Sequence, residues 1–252
     1  MQNHASTLAA EFKLDAARVA ATVALIDEGN TIPFIARYRK EATGSMDDQT
    51  LRALDARLSY LRKLDDQKET VHNSITEQGA MTPEIAAALE KAKTLAEVED
   101  IYRPYKPKRK TRASIARARG LEPLAARLLE QRPEDEPALL ARQYITEEVP
   151  DTEAALAGAR DILAEGFSDS ANLRATLRSL YNATALVESK AAKKDTDSVY
   201  SGYYDYSEPA AKMAGHRILA VDRGEREGFL KVSVTVDAAR AVRLLTERTV
   251  KN

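Results

Sequence analysis

The chain has 252 residues, no cysteine, and 38 Lys or Arg against 39 Asp or Glu. Its length allows one large domain or two small ones, and the lack of cysteine excludes disulfides, thiolate chemistry and cysteine-based metal sites. No apolar run approaches the ~18 residues that a membrane span needs, and the N-terminus lacks the pattern of a secretory signal. We therefore expect a soluble, cytoplasmic protein with no membrane partner, in which any nucleic-acid-binding surface is a local patch.

The composition favours a mainly α fold, because Ala and Leu are abundant and only ten residues are Gly. Asp15 is a suitable N-cap, Asp47 or Asp48 is expected to start a long helix, and Thr94 with Glu97 fits a capping box. Pro33 suits the first turn of a helix, and three leucines of the long helix repeat at spacings of three and four residues: Leu51, Leu54 and Leu58. The predicted helices cover 16–28, 33–43, about 48–78, a stretch from Pro83, 94–102, 113–119, 121–131, 152–167 and 169–192. Residues 138–146 could also be helical.

The pattern changes after residue 192. Residues 192–213 are polar and rich in Tyr, Ser and Asp, which is typical of a loop. Apolar residues then alternate over 216–222 and 230–236, with a turn signal between the two runs, which predicts a small β-hairpin near 216–236. The alternative is a helix through 215–222 joined to one strand. A last helix is predicted over 237–249.

Motifs for catalysis and cofactor binding are absent from the sequence. It contains no P-loop, no dinucleotide-binding glycine motif, no zinc-protease motif and no nucleophile elbow. The three histidines are far apart, and nothing near Asp195 and Asp197 would complete a metal site. We therefore predict that the chain is not an enzyme and holds no cofactor or metal.

One short segment is strongly basic. Between Tyr102 and Gly120 there are eight Lys or Arg and no Asp or Glu. Clustered cations attract backbone phosphates because binding releases counterions, and tyrosines such as Tyr105 can stack on bases. The predicted nucleic-acid-binding residues are Arg103, Lys106, Lys108, Arg109, Lys110, Arg112, Arg117 and Arg119.

Two other interpretations of this basic segment stay open. Its cations could form a structural ion-pair network with acidic helices, for example with Glu97, Glu99 and Asp100. They could also form a patch for a protein partner. A second, smaller cluster at 37–40 (Arg-Tyr-Arg-Lys) is predicted to be a helix surface rather than a binding site.

Four long stretches carry a family resemblance. They are residues 30–85 (beginning NTIPFIARYRKEATG), 94–125 (TLAEVEDIYRPYKPKRKTRASIARARGLEPLA), 155–165 (ALAGARDILAE) and 216–232 (HRILAVDRGEREGFLKV). They closely resemble the N-terminal region of the Tex-like family of bacterial transcription accessory proteins. The resemblance covers most of the chain from about Val19 onward.

The resemblance implies a cytoplasmic, nucleic-acid-binding protein that takes part in transcription. Members of the family are much longer than this chain. They continue into a catalytically inactive ribonuclease-H-like domain, helix-hairpin-helix modules and an RNA-binding OB-fold domain, and they resemble a eukaryotic elongation factor that works with RNA polymerase and histones. The chain is therefore expected to be an N-terminal fragment, with a helical domain of helix-turn-helix-like character over 1–195. Residues 196–252 would lead towards the ribonuclease-H-like domain.

Together these observations predict a helical scaffold with an auxiliary basic loop that contacts phosphates. The expected partners are RNA or DNA in the full-length protein, RNA polymerase, and the C-terminal domains of the same chain. The alternative is a purely structural, protein-interacting module with no direct nucleic-acid contact.

Overall fold

The computed structural model describes residues 4–107, 110–193 and 198–251, and the chain divides after Tyr102 into two compact units. Among these residues there are fourteen α-helices and one three-stranded sheet, so the predicted mainly α fold is confirmed. No helix within these ranges combines the length and apolar character that crossing a membrane requires. The domain boundary predicted near residue 195 falls on residues 194–197, outside the described ranges, and stays a prediction.

Unit 1 comprises the described residues up to Tyr102, and its regular structure is helical. Its helices are α1 (His4–Phe12), α2 (Ala16–Asp27), α3 (Ile32–Tyr38), α4 (Lys40–Thr43), α5 (Asp48–Glu77), α6 (Pro83–Lys91) and α7 (Leu95–Tyr102). The long helix α5 lies where the leucine spacing predicts it. Leu54 and Leu58 are buried there against Leu8 of α1 and Val19 of α2, and this cluster is the core of the unit.

Helix starts in unit 1 follow the predicted capping residues. Asp15 and Asp47 each accept a hydrogen bond from a backbone N–H three residues later, at 3.0 and 2.7 Å. Thr94 and Glu97 cap α7 reciprocally, since each side chain accepts a hydrogen bond from the other's backbone N–H. Gly44 ends α4 with φ +67°, a left-handed conformation that glycine adopts without strain.

Unit 2 comprises the described residues from Arg103 onward and combines helices with a sheet. Its helices are α8 (Arg112–Ala118), α9 (Glu122–Glu130), α10 (Pro137–Arg142), α11 (Thr152–Asp169), α12 (Ala171–Thr184), α13 (Gly215–Arg226) and α14 (Ala238–Thr249). The strands β1 (Leu186–Ala191), β2 (Asp205–Pro209) and β3 (Leu230–Thr235) form an antiparallel sheet in the order β2-β1-β3. Ser189 of β1 lies opposite Tyr206 on one side and Val232 on the other.

The β-hairpin predicted near 216–236 is wrong. Residues 215–226 form α13 and only 230–235 form a strand, as the helix-and-strand alternative states. Val221 and Gly224, three residues apart, are buried in α13, and a Cβ on Gly224 would lie 2.7 Å from Leu230 Cδ1. The helical spacing prevails because β3 finds its ladder partner in β1, so residues 216–222 are not needed as a strand.

The helix predicted over 169–192 is too long at its C-terminal end. Helix α12 ends at Thr184, and the next residues form β1, the central strand of the sheet. Local propensity allows helix in this stretch, but β1 has a hydrogen-bonded neighbour on both sides, and this tertiary pairing outweighs propensity. Strand β2 likewise lies inside the predicted loop 192–213.

Candidate nucleic-acid interface

The basic segment enters unit 2 as a short 3₁₀ turn and continues into α8. The turn covers Arg103–Tyr105, and Thr111 caps α8 in a reciprocal arrangement with Ser114. Two of the eight predicted site residues, Lys108 and Arg109, lie outside the described residues. The other six are distributed over the turn, the N-terminus of α8 and its C-terminal end.

Small residues bring α8 close to α11. Ala113 and Ala116 of α8 are buried with Ala155 and Ala159 of α11 in the core of unit 2. A Cβ on Gly158 of α11 would lie 2.3 Å from Leu121 Cδ1 and 3.3 Å from Ala116 Cβ. Only a residue without a side chain fits there, so the two helices are in close contact.

Helix α11 supplies the counter-charges that the basic segment itself lacks. Asp161, Glu165 and Asp169 recur at four-residue spacing, which places them on one face of the helix. The paired atoms are Arg103 Nε and Asp169 Oδ1 at 3.1 Å, Arg112 Nε and Asp161 Oδ1 at 3.5 Å, and Arg117 Nη1 and Glu165 Oε2 at 2.5 Å. We call Asp161, Glu165 and Asp169 the carboxylate row.

The pair at the centre of the row is held on several sides. The Glu165 side chain is 14% exposed and also accepts a hydrogen bond from Thr111 Oγ1 at 3.0 Å. Arg117 is 36% exposed and reaches Glu122 at 3.3 Å as well. Its hydrogen bond to Glu165 raises the pKa of Arg117, a side chain that is charged in any case. Together with Arg103, this arginine fastens the basic segment to α11.

Three of the other described cations face solvent. Arg112 is 87% exposed in spite of its contact with Asp161, and Arg119 Nε lies 3.8 Å from Glu148 Oε2, itself an exposed carboxylate. Exposed pairs of this kind contribute about 0–1 kcal/mol, so these arginines can exchange their partners at little cost. Lys110 is exposed and lines an open cleft of about 440 Å³ together with Arg119. Lys110, Arg112 and Arg119 are called the outer cations.

The structure reproduces the interpretation of the basic segment only in part. The ion-pair alternative holds for Arg103 and Arg117, but through the carboxylate row, roughly 50 to 65 residues further along the chain. Glu97, one of the expected partners, instead caps its own helix. The signal that could have revealed the row is the four-residue spacing of acids in DILAEGFSD. Lys106 lines a second cleft, of about 530 Å³, with Arg117 and Asp169.

Comparison with known proteins gives two family matches and several relatives. Residues 2–76 match the model of the Tex-like protein N-terminal domain, and residues 132–251 match the Tex central region-like model. "Protein tex" of Bordetella pertussis is 47% identical over 235 residues, which cover 92% of this chain and 30% of that protein. "Transcriptional accessory protein Tex" of Neisseria gonorrhoeae is 45% identical over 229 residues, with coverages of 90% and 30%.

A more distant relative comes from a eukaryote. "S1 RNA-binding domain-containing protein 1" of Homo sapiens is 32% identical over 230 residues, 85% of this chain and 22% of that protein. The chain thus spans about 30% of the length of its bacterial relatives.

Proposed function

Because the chain belongs to the Tex family, we propose that it is a helical scaffold of a nucleic-acid-binding transcription accessory protein, with an auxiliary surface that contacts phosphates. The surface consists of the outer cations of unit 2. Lys108 and Arg109, between Lys106 and Lys110 in sequence, are included from the sequence alone.

The division of the basic segment into fastened and exposed cations carries this proposal. Arg103 and Arg117 are held by largely buried carboxylates, so their charges are already neutralised within the fold. The outer cations are exposed and either weakly paired or, for Lys110, without an ion pair to any described residue. An exposed and weakly neutralised cation is the kind that releases counterions when it meets a phosphate.

The carboxylate row supports this role by positioning. It fixes α8 and the turn before it on α11, so Arg112 projects from a fixed helix, and Lys110 and Arg119 lie directly before and after that helix. A preformed surface of this kind loses less conformational entropy on binding than a disordered basic tail. Arg103 and Arg117 are therefore proposed to position the surface, not to touch nucleic acid.

Fluorescence anisotropy with labelled single- and double-stranded oligonucleotides at low salt tests the proposal. The variant Lys110→Ala/Arg112→Ala/Arg119→Ala should bind both more weakly. It should also reduce the slope of log K against log salt by roughly 0.7–0.9 for each phosphate that the variant no longer neutralises. The matched control removes three exposed arginines elsewhere, Arg52, Arg160 and Arg226. If both triple variants reduce affinity equally, the surface has no special role.

A Lys108→Ala/Arg109→Ala variant tests the two residues that are included in the surface from the sequence alone.

A second candidate function is supported by an apolar cleft in the same unit. Between α9 and α11 lies a cleft of about 310 Å³ whose lining includes Leu129, Ile162 and Phe167, and two of these, Leu129 and Phe167, are exposed. Such a surface suits a protein partner, and we propose RNA polymerase or the remaining domains of a full-length Tex protein as candidates. A pull-down with both should lose retention with Phe167→Asp but not with Leu139→Asp, an exposed leucine of α10. Absence of retention by the wild type would remove this candidate.

A further inference from the structure

Two aromatic rings of unit 1 are exposed side by side on α3. Phe34 and Tyr38 are one helical turn apart, and their ring centroids lie 5.2 Å apart with the planes tilted by 45°. Phe34 is 37% exposed and Tyr38 is 66% exposed, whereas Ile35 on the same helix is fully buried and anchors it. The helix therefore exposes both aromatic rings to water, although burying a large apolar ring such as that of Phe34 is favourable.

Three basic residues lie beside these rings in the sequence, and one of them contacts a ring. The guanidinium carbon of Arg39 lies 5.3 Å from the centroid of the Phe34 ring, within cation–π distance. Arg37 and Lys40, directly before and after Tyr38 and Arg39 in the sequence, are also exposed. Among the described residues, no carboxylate lies within ion-pair distance of these three cations, in contrast to Arg103 and Arg117 of unit 2. The positive charge of this patch is available to a ligand.

Exposed π faces beside unpaired cations match the chemistry of an unpaired nucleotide. A base offers a flat face that stacks on tyrosine or phenylalanine, and its phosphate offers the negative charge that arginine and lysine attract. A duplex hides its base faces, so only a single strand can use the rings. We propose that the patch formed by Phe34, Arg37, Tyr38, Arg39 and Lys40 binds single-stranded nucleic acid, with a base stacked on Tyr38.

This site goes beyond the proposed function and does not depend on it. The outer cations of unit 2 contact phosphates alone and would accept a duplex as well as a single strand. The α3 patch lies in unit 1 and requires the base itself. The sequence predicted a mere helix surface for residues 37–40, and the placement of both rings in solvent is what changes that interpretation.

The test measures affinity for a single-stranded oligonucleotide that carries 2-aminopurine, whose fluorescence falls when the base stacks. Uridine and deoxyuridine versions, which differ only in the sugar, show whether the sugar matters, and an abasic strand of equal length and a duplex serve as ligand controls. Tyr38→Ala should weaken single-strand binding on the order of tenfold and remove the quenching, because the base has no ring to stack on. Tyr38→Phe keeps the ring and should bind within about twofold of wild type. Tyr181→Ala, which removes an exposed tyrosine of unit 2, is the matched protein control.

The outcomes separate this site from the one on α8. The inference is supported if Tyr38→Ala weakens binding of the single strand but not of the duplex, and if Tyr38→Phe binds the single strand as wild type does. Arg39→Ala should also weaken binding of the single strand. The inference is overturned if wild type does not quench the base, if Tyr38→Ala leaves affinity unchanged, or if the abasic strand binds equally well. The triple variant of the outer cations, by contrast, should affect single strand and duplex alike, so either proposal can fail alone.

Discussion

The two units of the molecule hold their helices together by different means. In unit 1, large aliphatic side chains of α5 such as Leu54 and Leu58 fill a conventional core with Val19 of α2. In unit 2, α8 and α11 meet through alanines and Gly158, and ion pairs to the carboxylate row lie along the same two helices. Unit 1 should therefore be sensitive to a reduction of side-chain volume, and the α8–α11 packing to added volume and removed charge.

The largest expected effect is Leu54→Ala in unit 1. Leu54 is fully buried, so removing three carbon atoms leaves a cavity and should lower the free energy of unfolding by about 2–5 kcal/mol. Urea denaturation followed by circular dichroism measures it. Arg52→Ala, at an exposed neighbour on the same helix, should change stability by no more than about 0.5 kcal/mol. Equal effects of the two variants would show that α5 does not form the core.

The next largest expected effect on stability is that of Gly158→Ala, which tests the close packing of α8 and α11 in unit 2. The new methyl would collide with Leu121, so we expect the free energy of unfolding to fall by about 1–3 kcal/mol in spite of the better helix propensity of alanine. Gly166→Ala in the same helix is its matched control, since a Cβ there meets nothing within 4 Å. That change should stabilise by about 0.5–1 kcal/mol. Stabilisation by both would mean that α8 and α11 do not touch as described.

Glu165→Gln tests the charge part of the comparison. The substitution keeps the shape of the side chain but removes the carboxylate that pairs with Arg117, and because Arg117 is partly solvated we expect a destabilisation of only about 1 kcal/mol. Glu153→Gln on the same helix, where the exposed carboxylate pairs with Arg160, should cost at most about 0.3 kcal/mol. Identical melting temperatures for the two variants would contradict a structural role for the carboxylate row.

The smallest expected effect is a pH dependence of unit 1. A hydrogen bond from Arg57 lowers the pKa of Glu11 below its ordinary value of 4.5. Because the folded-state pKa is the lower one, the stabilisation is present above about pH 4.5 and disappears as pH falls through the folded value. Glu11→Gln should remove a few tenths of a kcal/mol at about pH 7 and little at about pH 3. Melting curves at both pH values, with exposed Glu69→Gln as control, check this.

Sequence reasoning succeeded where the determining contacts are local. The leucine spacing of α5, the caps at Asp15 and Asp47, and helix α8 itself all depend on residues a few positions apart. It failed where partners are distant: β1 depends on two strands further along the chain, and the pattern of α13 resembles a strand unless the pairing of β3 with β1 is known. At the candidate site the cations were predicted, but their division was not, because Asp169 and Glu165 are remote from them in sequence.

The position of β1 in the middle of its sheet has a consequence for synthesis on the ribosome. Both neighbours of β1 follow it in the chain, so β1 is translated about 40 residues before β3 is complete. At roughly 5–20 residues per second, the backbone groups of β1 that face β3 wait on the order of 2–9 seconds for their partners, and those that face β2 wait about 1–4 seconds. Glu188 and Lys190, two residues apart, place charged groups on one face of the nascent strand, which disfavours pairing with other chains during that interval.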